Sequence, residues 1–377
     1  MRHEHGNSSI WTENGMQFLH LNEKDHYSTG YAYGMLILKS KNPVVKFLKK
    51  KGSKILLSLL YQITKKYYKN LKIPQEYLDE LKGYADSTKI PYNHLFCLNF
   101  CSDIMKKFGF HCSTISVFNK NSVLVGRNTD LLPFLTRMAL KHAKSIVVKV
   151  TIPKKKSFTH VSIPFFVGAI NGFNEKGISV NSHQIISVRE KTNKKRLTNS
   201  LLMRKCLEEV SNLKEGEALI KKNIPMRSLS LALTSEKEKK GIIFEINPNK
   251  MNMICPKGTL CCTTHFESKD MRKLHNGLIV PSQIRLKSMK NLTKKKKNIS
   301  SSELINILKD HSNGLNHKTS GKSLTNNGTY QSFVFDLTNN LIFISNGNKK
   351  PASLTGEYLK FNVNNKNKKN PQEANSY

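Results

Sequence analysis

The chain has 377 residues, 38% of them hydrophobic, which is enough for one large or two small domains with a real core and too apolar for a disordered protein. Lys and Arg number 62 against 26 Asp and Glu, a net charge of +36 that brings nucleic acid and anionic membrane into consideration. The basic runs at 49–51, 154–156, 194–196 and 294–297 lack an aromatic-rich reading surface, so they read as solvated faces with a non-specific, salt-sensitive attraction to polyanions. Seven cysteines with no even framework exclude a disulfide scaffold. Cys97 and Cys101 lack a second ligand pair at zinc spacing and read as small buried hydrophobes; no metal or organic cofactor is indicated. The first thirty residues hold no apolar stretch of signal-peptide length, and the longest apolar run, 55–61, is too short to span a bilayer. The expectation is a soluble, reduced, cytoplasmic protein.

Along the chain, residues 27–38 carry Gly30 and Gly34 in an aromatic and aliphatic setting, as a glycine-containing strand or turn would. Residues 44–68 are apolar at helical spacing with lysines on the other face. Such a basic amphipathic helix can lie on a membrane, but packing on its own domain is the plainer reading. Pro74 opens a helix to about Tyr84, and Pro91 opens another through Leu95, Leu98 and Ile104. Strands follow at 113–118, 123–128, 145–152, 157–164, 165–173 and 177–186. A helix fits 199–210, and Asn212 with Glu215 opens the next as a capping box. A hairpin at 228–234 and 241–246, helices at 282–292 and 302–309, and strands at 331–337 and 341–345 complete the set. Strands, a helical pair and strands again imply an α+β fold, a four-layer αββα sandwich of two antiparallel sheets. The expected division is a helix-rich segment 1–111, a catalytic domain 112–361 and a disordered polar tail 362–377.

The chemistry concentrates around Cys112. A small thiol opens an apolar-alternating strand, a polar turn at 119–122 reverses the chain, and the second strand returns Arg127 and Asp130 beside it. A cation and a carboxylate next to a strand-opening cysteine suit a nucleophile whose only base is its own α-amine. That amine exists only if the bond between His111 and Cys112 is cut.

Cys112-Ser113-Thr114, followed by Gly126-Arg127-Asn128-Thr129-Asp130, resembles the N-terminal-nucleophile (Ntn) hydrolases acting on linear amides. These are the choloylglycine hydrolase and penicillin V acylase group and, more closely, the acyl-coenzyme A:6-aminopenicillanic acid acyltransferase family. Four further stretches are similar to that second family: 77–86 with 98–100, 172–181, Thr263-Thr264-His265-Phe266, and 329–337 through Gly347. In the family's order they cover roughly residues 28 to 361.

The resemblance implies self-cleavage before Cys112, then amide hydrolysis or acyl transfer through a Cys112 thioester, with a small acyl amide or acyl-CoA as partner. It also implies that Asp130 orients the new amine and that Arg127 supports the thiolate; without it, both read as exposed hairpin charges or an ion pair. Free cysteine and an α-amine titrate near 8.5 and about 8, close to use at neutral pH. The oxyanion needs preorganised donors. Thr264 stands where the family has asparagine, and Thr264 and Asn181 are the donor candidates, against a reading as plain strand residues. His183 and His265 either assist or are structural, and Arg285 reads as a helix-surface residue. The competing accounts are a catalytically inactive Ntn-fold protein that binds anionic lipid or nucleic acid through its lysines, and papain-like catalysis, which leaves Arg127 and Asp130 without a role.

Overall fold

The computed structural model describes residues 1–68, 71–104, 111–187, 196–275, 279–294, 296–315 and 321–364, with the side chains of 67–68 and 101–104 excepted. The chain opens with strands β1 (Arg2–His5), β2 (Ser8–Glu13) and β3 (Met16–Asn22), then helices α1 (His26–Lys39), α2 (Pro43–Lys49), α3 (Lys51–Tyr68), α4 (Gln75–Thr88) and α5 (Tyr92–Ile104). The hairpin of β4 (His111–Phe118) and β5 (Val123–Asp130) leads through α6 (Pro133–His142) to β6 (Ile146–Thr151), β7 (Phe158–Ser162), β8 (Asn171–Asn174) and β9 (Ile178–Gln184). Next come α7 (Asn199–Glu209), α8 (Leu213–Lys222), β10 (Leu229–Ser235), β11 (Lys240–Asn247), β12 (Lys250–Ile254) and β13 (Leu260–Cys262). The remainder is α9 (Lys269–Arg272), α10 (Val280–Lys294), α11 (Ser301–Leu308), β14 (Thr329–Asp336), β15 (Leu341–Ser345), α12 (Ala352–Thr355) and β16 (Tyr358–Asn362).

Two sheets result. The larger runs β1-β2-β3-β6-β7-β8-β9-β10-β11-β12 and the smaller β13-β4-β5-β14-β15-β16. Every pairing is antiparallel except β3 with β6, which is parallel. The apolar filling between the sheets includes Phe18, Val147, Val161 and Phe173 from the larger and Val123, Val125, Phe333 and Phe335 from the smaller. Tyr33, Leu36, Leu81, Leu201 and Leu207 pack helices α1, α4 and α7 on the outer face of the larger sheet. Met289, Leu304 and Leu308 pack α10 and α11 on the outer face of the smaller, against Ile115, Val117 and Leu124. The expected αββα sandwich is therefore the observed one.

The first three strands lie in the stretch read as polar, where short alternating hairpins give little periodic signal. Residues 27–38 form a helix, not a strand or turn. Their glycines serve a helix crossing: a Cβ on Gly30 would sit 1.9 Å from the Glu80 carbonyl oxygen, and one on Gly83 2.3 Å from that of Tyr27. The single periodic helix of 44–68 is two, because Lys50 adopts an extended conformation between α2 and α3. Nor does α3 bury its whole apolar surface: Leu57 is inside, but Ile55, Leu56, Leu59 and Ile63 are exposed. Asn212 caps α8 as expected, accepting from the Glu215 N–H at 2.9 Å. Cys97 is buried. Among the described residues no helix is long and apolar enough to cross a membrane. The polar tail lies outside the described residues from 365 onward.

Candidate active site

The strand period of two decides which side chains meet. On β4, Ser116 reaches across to Thr234 of the larger sheet, Oγ to Oγ1 2.8 Å, so the even positions of this strand face inward. Cys112 shares that face and is buried. Ser113 points the other way, toward α10. On β5 the inward positions are odd, which places Arg127 and Thr129 next to Cys112; the register pairs Cys112 with Thr129 and Thr114 with Arg127.

Arg127 is fully buried. Its Nε donates to Thr129 Oγ1 at 3.2 Å, Nη1 to Thr114 Oγ1 at 3.3 Å and Nη2 to the Ser182 carbonyl at 2.9 Å. The last bond ties the two sheets together beside the thiol. Asp130 is also fully buried. It accepts from Thr329 Oγ1 at 2.8 Å and Asn326 Nδ2 at 3.0 Å. Burial pushes the Asp130 carboxyl up to about 6, against the opposing pull of Arg285, Thr329, Asn326 and Arg127. Among the described residues Arg127 and Asp130 form no ion pair, and neither is an exposed hairpin charge.

Burial raises the Cys112 thiol above its ordinary value. Arg127, Arg285 and the Asp130 backbone N–H act in the opposite direction by favouring the thiolate, while the Asp130 carboxylate reinforces the rise. Three of these four influences are aimed at negative charge on sulfur.

Arg285 corrects the sequence reading. It is fully buried, not on a helix surface. Its Nε donates to Ser113 Oγ at 3.1 Å, Nη2 to Thr264 Oγ1 at 3.2 Å, and Nη1 to the Gly321 carbonyl. Desolvation lowers its pKa, and the neighbouring Asp130 and Cys112 oppose that fall. The signal that could have marked it is its place on the buried stripe of Ser282, Leu286, Met289 and Thr293, a stripe too mixed in polarity to stand out.

Thr264 is brought into the site. It follows β13 by two residues, and Arg285, which also holds Ser113 next to Cys112, is the partner of its hydroxyl. Asn181 lies on β9, buried in the facing sheet; its Nδ2 donates to Ser179 Oγ at 3.2 Å and its Oδ1 has no partner. No hydrogen bond among the described residues joins Asn181 to Cys112. His183, two positions on, comes nearer: burial first, then Arg127, holds its ring well below the ordinary pKa, while the Cys112 backbone favours its protonated form. Neither His183 ring nitrogen has a well-formed hydrogen bond. His265 is structural, its Nδ1 2.9 Å from both Thr263 Oγ1 and Ser282 Oγ. Gln331, paired with Thr129 across β14, was not singled out in the sequence; its Oε1 is buried and unpartnered. Gln331, Asn181 and His183 thus leave unspent polar atoms on the two inner faces, a concentration that closed cores avoid.

Among the described residues one group has metal-ligand geometry: His26, Glu76 and Glu208, in the outer helical layer. Its carboxylates are engaged, Glu76 by Lys155 Nζ at 3.3 Å, while His26 keeps an unpartnered Nε2. His26 Nδ1 bonds Glu80 at 2.8 Å, and Glu208 accepts from Tyr77 and Arg204.

The model of the acyl-coenzyme A:6-aminopenicillanic acid acyl-transferase family matches residues 117–351, well over half of the chain. No curated protein is similar enough in sequence to match. Among solved structures, an N-acylethanolamine-hydrolyzing acid amidase ortholog of Caenorhabditis elegans is similar at 16% identity and a TM-score of 0.45, covering 60% of this chain and 93% of that one. A mutant conjugated bile acid hydrolase from Clostridium perfringens is similar at 14% identity and 0.45, covering 68% and 93%. The match to the family model begins after Cys112, while the sheets, their order and the helical layers come from the whole chain. The chain belongs to the acyl-coenzyme A:6-aminopenicillanic acid acyl-transferase family.

Proposed function

We propose that Cys112 is the nucleophile of a self-activating amidohydrolase or acyltransferase whose substrate is a small, non-peptide acyl amide or an acyl-CoA. The observation that carries this reading is the placement of Cys112: buried on the inner face of β4, paired with Thr129 across the β4–β5 hairpin and one inward position from the pair of Thr114 with the buried Arg127.

In the precursor, the Cys112 sulfur attacks the His111 carbonyl carbon. The peptide C–N bond breaks as the C–S bond forms, and the nitrogen takes the thiol proton. Water then opens the thioester, leaving a His111 carboxylate and a Cys112 α-amine. In the mature enzyme that amine accepts the thiol proton, the thiolate adds to the substrate carbonyl, and the amine delivers the proton to the leaving nitrogen. Water or a second amine resolves the acyl-thioester, which is the whole difference between hydrolase and transferase. Asp130 holds the α-ammonium, Arg127 supports the sulfur from the inner face, and Asn181 and Thr264 are the oxyanion donors.

Mass analysis and N-terminal sequencing of the purified protein, beside its Cys112→Ser and Cys112→Ala forms, test the reading. The parent is expected to yield a piece beginning at Cys112 and to release acid from an acyl-amide panel or transfer from acyl-CoA. The alanine form is expected to stay whole. A parent that remains a single chain while turning over amide would overturn the proposal.

A further inference from the structure

Helix α3 has two apolar faces, and only one of them is used. Leu57 and Thr64 are buried on the inner side, and Ser58 Oγ reaches His94 Nε2 of α5 at 2.8 Å, so the helix is already anchored. On the outer side Ile55 is 60% exposed, Leu56 55%, Leu59 57% and Ile63 57%. Ile55, Leu59 and Ile63 stand at i, i+4 and i+8, with Leu56 at the edge, so these four large aliphatics form one stripe about 100° wide. Folding alone does not explain a stripe left in water.

Its border is charged. By helical position Lys51, Lys54 and Lys65 line one flank of the stripe, and Lys66 lies at its end. Helix α6 repeats the arrangement: Phe134 is 60% and Met138 46% exposed, with Arg137 and Lys141 in the same helix. It packs on α2, which leads directly into α3. Aliphatics flanked by ammonium groups suit the boundary of a bilayer, where the side chains enter the acyl region and the lysines meet headgroup charge. The charge also selects the occupant. A second copy would bring lysine against lysine on a chain of net charge +36, whereas an anionic lipid surface neutralises both.

We infer that the α3 stripe, with α6 beside it, docks this protein on an anionic membrane surface without crossing it. The inference is independent of the catalytic proposal, because none of these side chains belongs to the Cys112 site.

Co-sedimentation with vesicles of phosphatidylcholine plus phosphatidylserine, against phosphatidylcholine alone, tests it on the full-length protein. Binding is expected to the anionic vesicles only. Joint replacement Ile55→Ser, Leu59→Ser and Ile63→Ser, all at exposed positions, is expected to weaken it by about tenfold or more. Lys51→Glu with Lys54→Glu is expected to weaken it by on the order of fivefold per site. A Leu59→Trp form reports seating directly, its emission moving to the blue only with anionic vesicles. Three results would overturn the inference: no vesicle binding; binding that the serine triple leaves unchanged, which is bulk attraction to polyanions such as nucleic acid; or a self-association that the triple abolishes, which makes a second copy the occupant.

Discussion

Arg285 on α10 donates from Nε to the hydroxyl of Ser113, the residue that follows Cys112, at 3.1 Å across 172 positions of sequence. A fully buried guanidinium is costly unless each N–H finds an acceptor, and here Ser113, Gly321 and Thr264 supply them. The same cation lies close enough to Cys112 and Asp130 to act on both. Replacement by lysine keeps the charge but loses the planar fork. Arg285→Lys is expected to lower kcat/KM roughly tenfold and Arg285→Met roughly a hundredfold or more; steady-state kinetics on any accepted acyl amide checks this, with circular dichroism confirming the fold.

Asp130 gives a pH dependence of defined sign. Its carboxyl in the fold is raised to about 6, so it loses its proton later than in the unfolded chain. Folding therefore takes up a proton between roughly pH 4 and 6, and stability attached to this group is present below that window and falls as pH rises through it, by about 3 kcal/mol at most. Activity moves the other way, since only the carboxylate can hold an α-ammonium. The kcat/KM profile of the mature enzyme is expected to rise on its acid limb below pH 6, because the new α-ammonium pulls the Asp130 carboxyl down from its value in the uncut chain, and Asp130→Asn to lose that limb along with most of the activity.

The buried network of the helical layer predicts a stability effect away from the site. Glu80 accepts from Arg204 Nη2 at 3.0 Å, from Tyr84 at 3.0 Å and faces His26 at 2.8 Å, while Arg204 Nε meets Glu208 at 2.5 Å. Burial pushes the Glu80 carboxyl up, but Arg204, then His26 and Tyr84, outweigh it and hold its pKa below the ordinary carboxylate value. Its contribution is thus present above about pH 4.5 and lost as pH falls through the folded value. Arg204→Met strands two buried carboxylates and is expected to cost about 3–5 kcal/mol in urea unfolding.

The α1–α4 crossing allows no side chain at its closest point. Gly83→Ala places a methyl group 2.3 Å from the Tyr27 carbonyl oxygen and 2.6 Å from the Tyr31 nitrogen. Backbone cannot rotate aside as a side chain can. The expected loss is about 1–3 kcal/mol, read as a lower thermal midpoint in the Cys112→Ala form so that maturation does not confuse the measurement.

What could be seen in the amino-acid order follows from how local each signal is. The β4–β5 hairpin was legible because alternation, the turn at 119–122 and its polar return all lie within twenty residues, and Arg127 and Asp130 came with it. Capping at Asn212 was legible for the same reason. Gly30 misled, since its meaning depends on Glu80, fifty positions away, and glycine at a turn looks the same in a string. Arg285 misled further: a lone arginine in a polar helix reads as surface, and only the packing of α10 on β4 puts it inside. Thr264, Asn181 and His183 were singled out in the sequence beside the motif resemblance, whereas Gln331 becomes informative only when two sheets are stacked and its Oε1 is left without a partner.

The parallel pairing of β3 with β6 joins the first stretch of the polypeptide to the larger sheet as its three outermost strands. A break at the 111–112 junction would therefore divide the covalent chain without dividing the folded object: β1 to β3 remain laced to strands of the later piece, and β4 remains bonded on both flanks, to β13 and β5. Such a protein would run as two bands after denaturation and elute as one particle before it, and the earlier fragment would have no independent existence to be lost to.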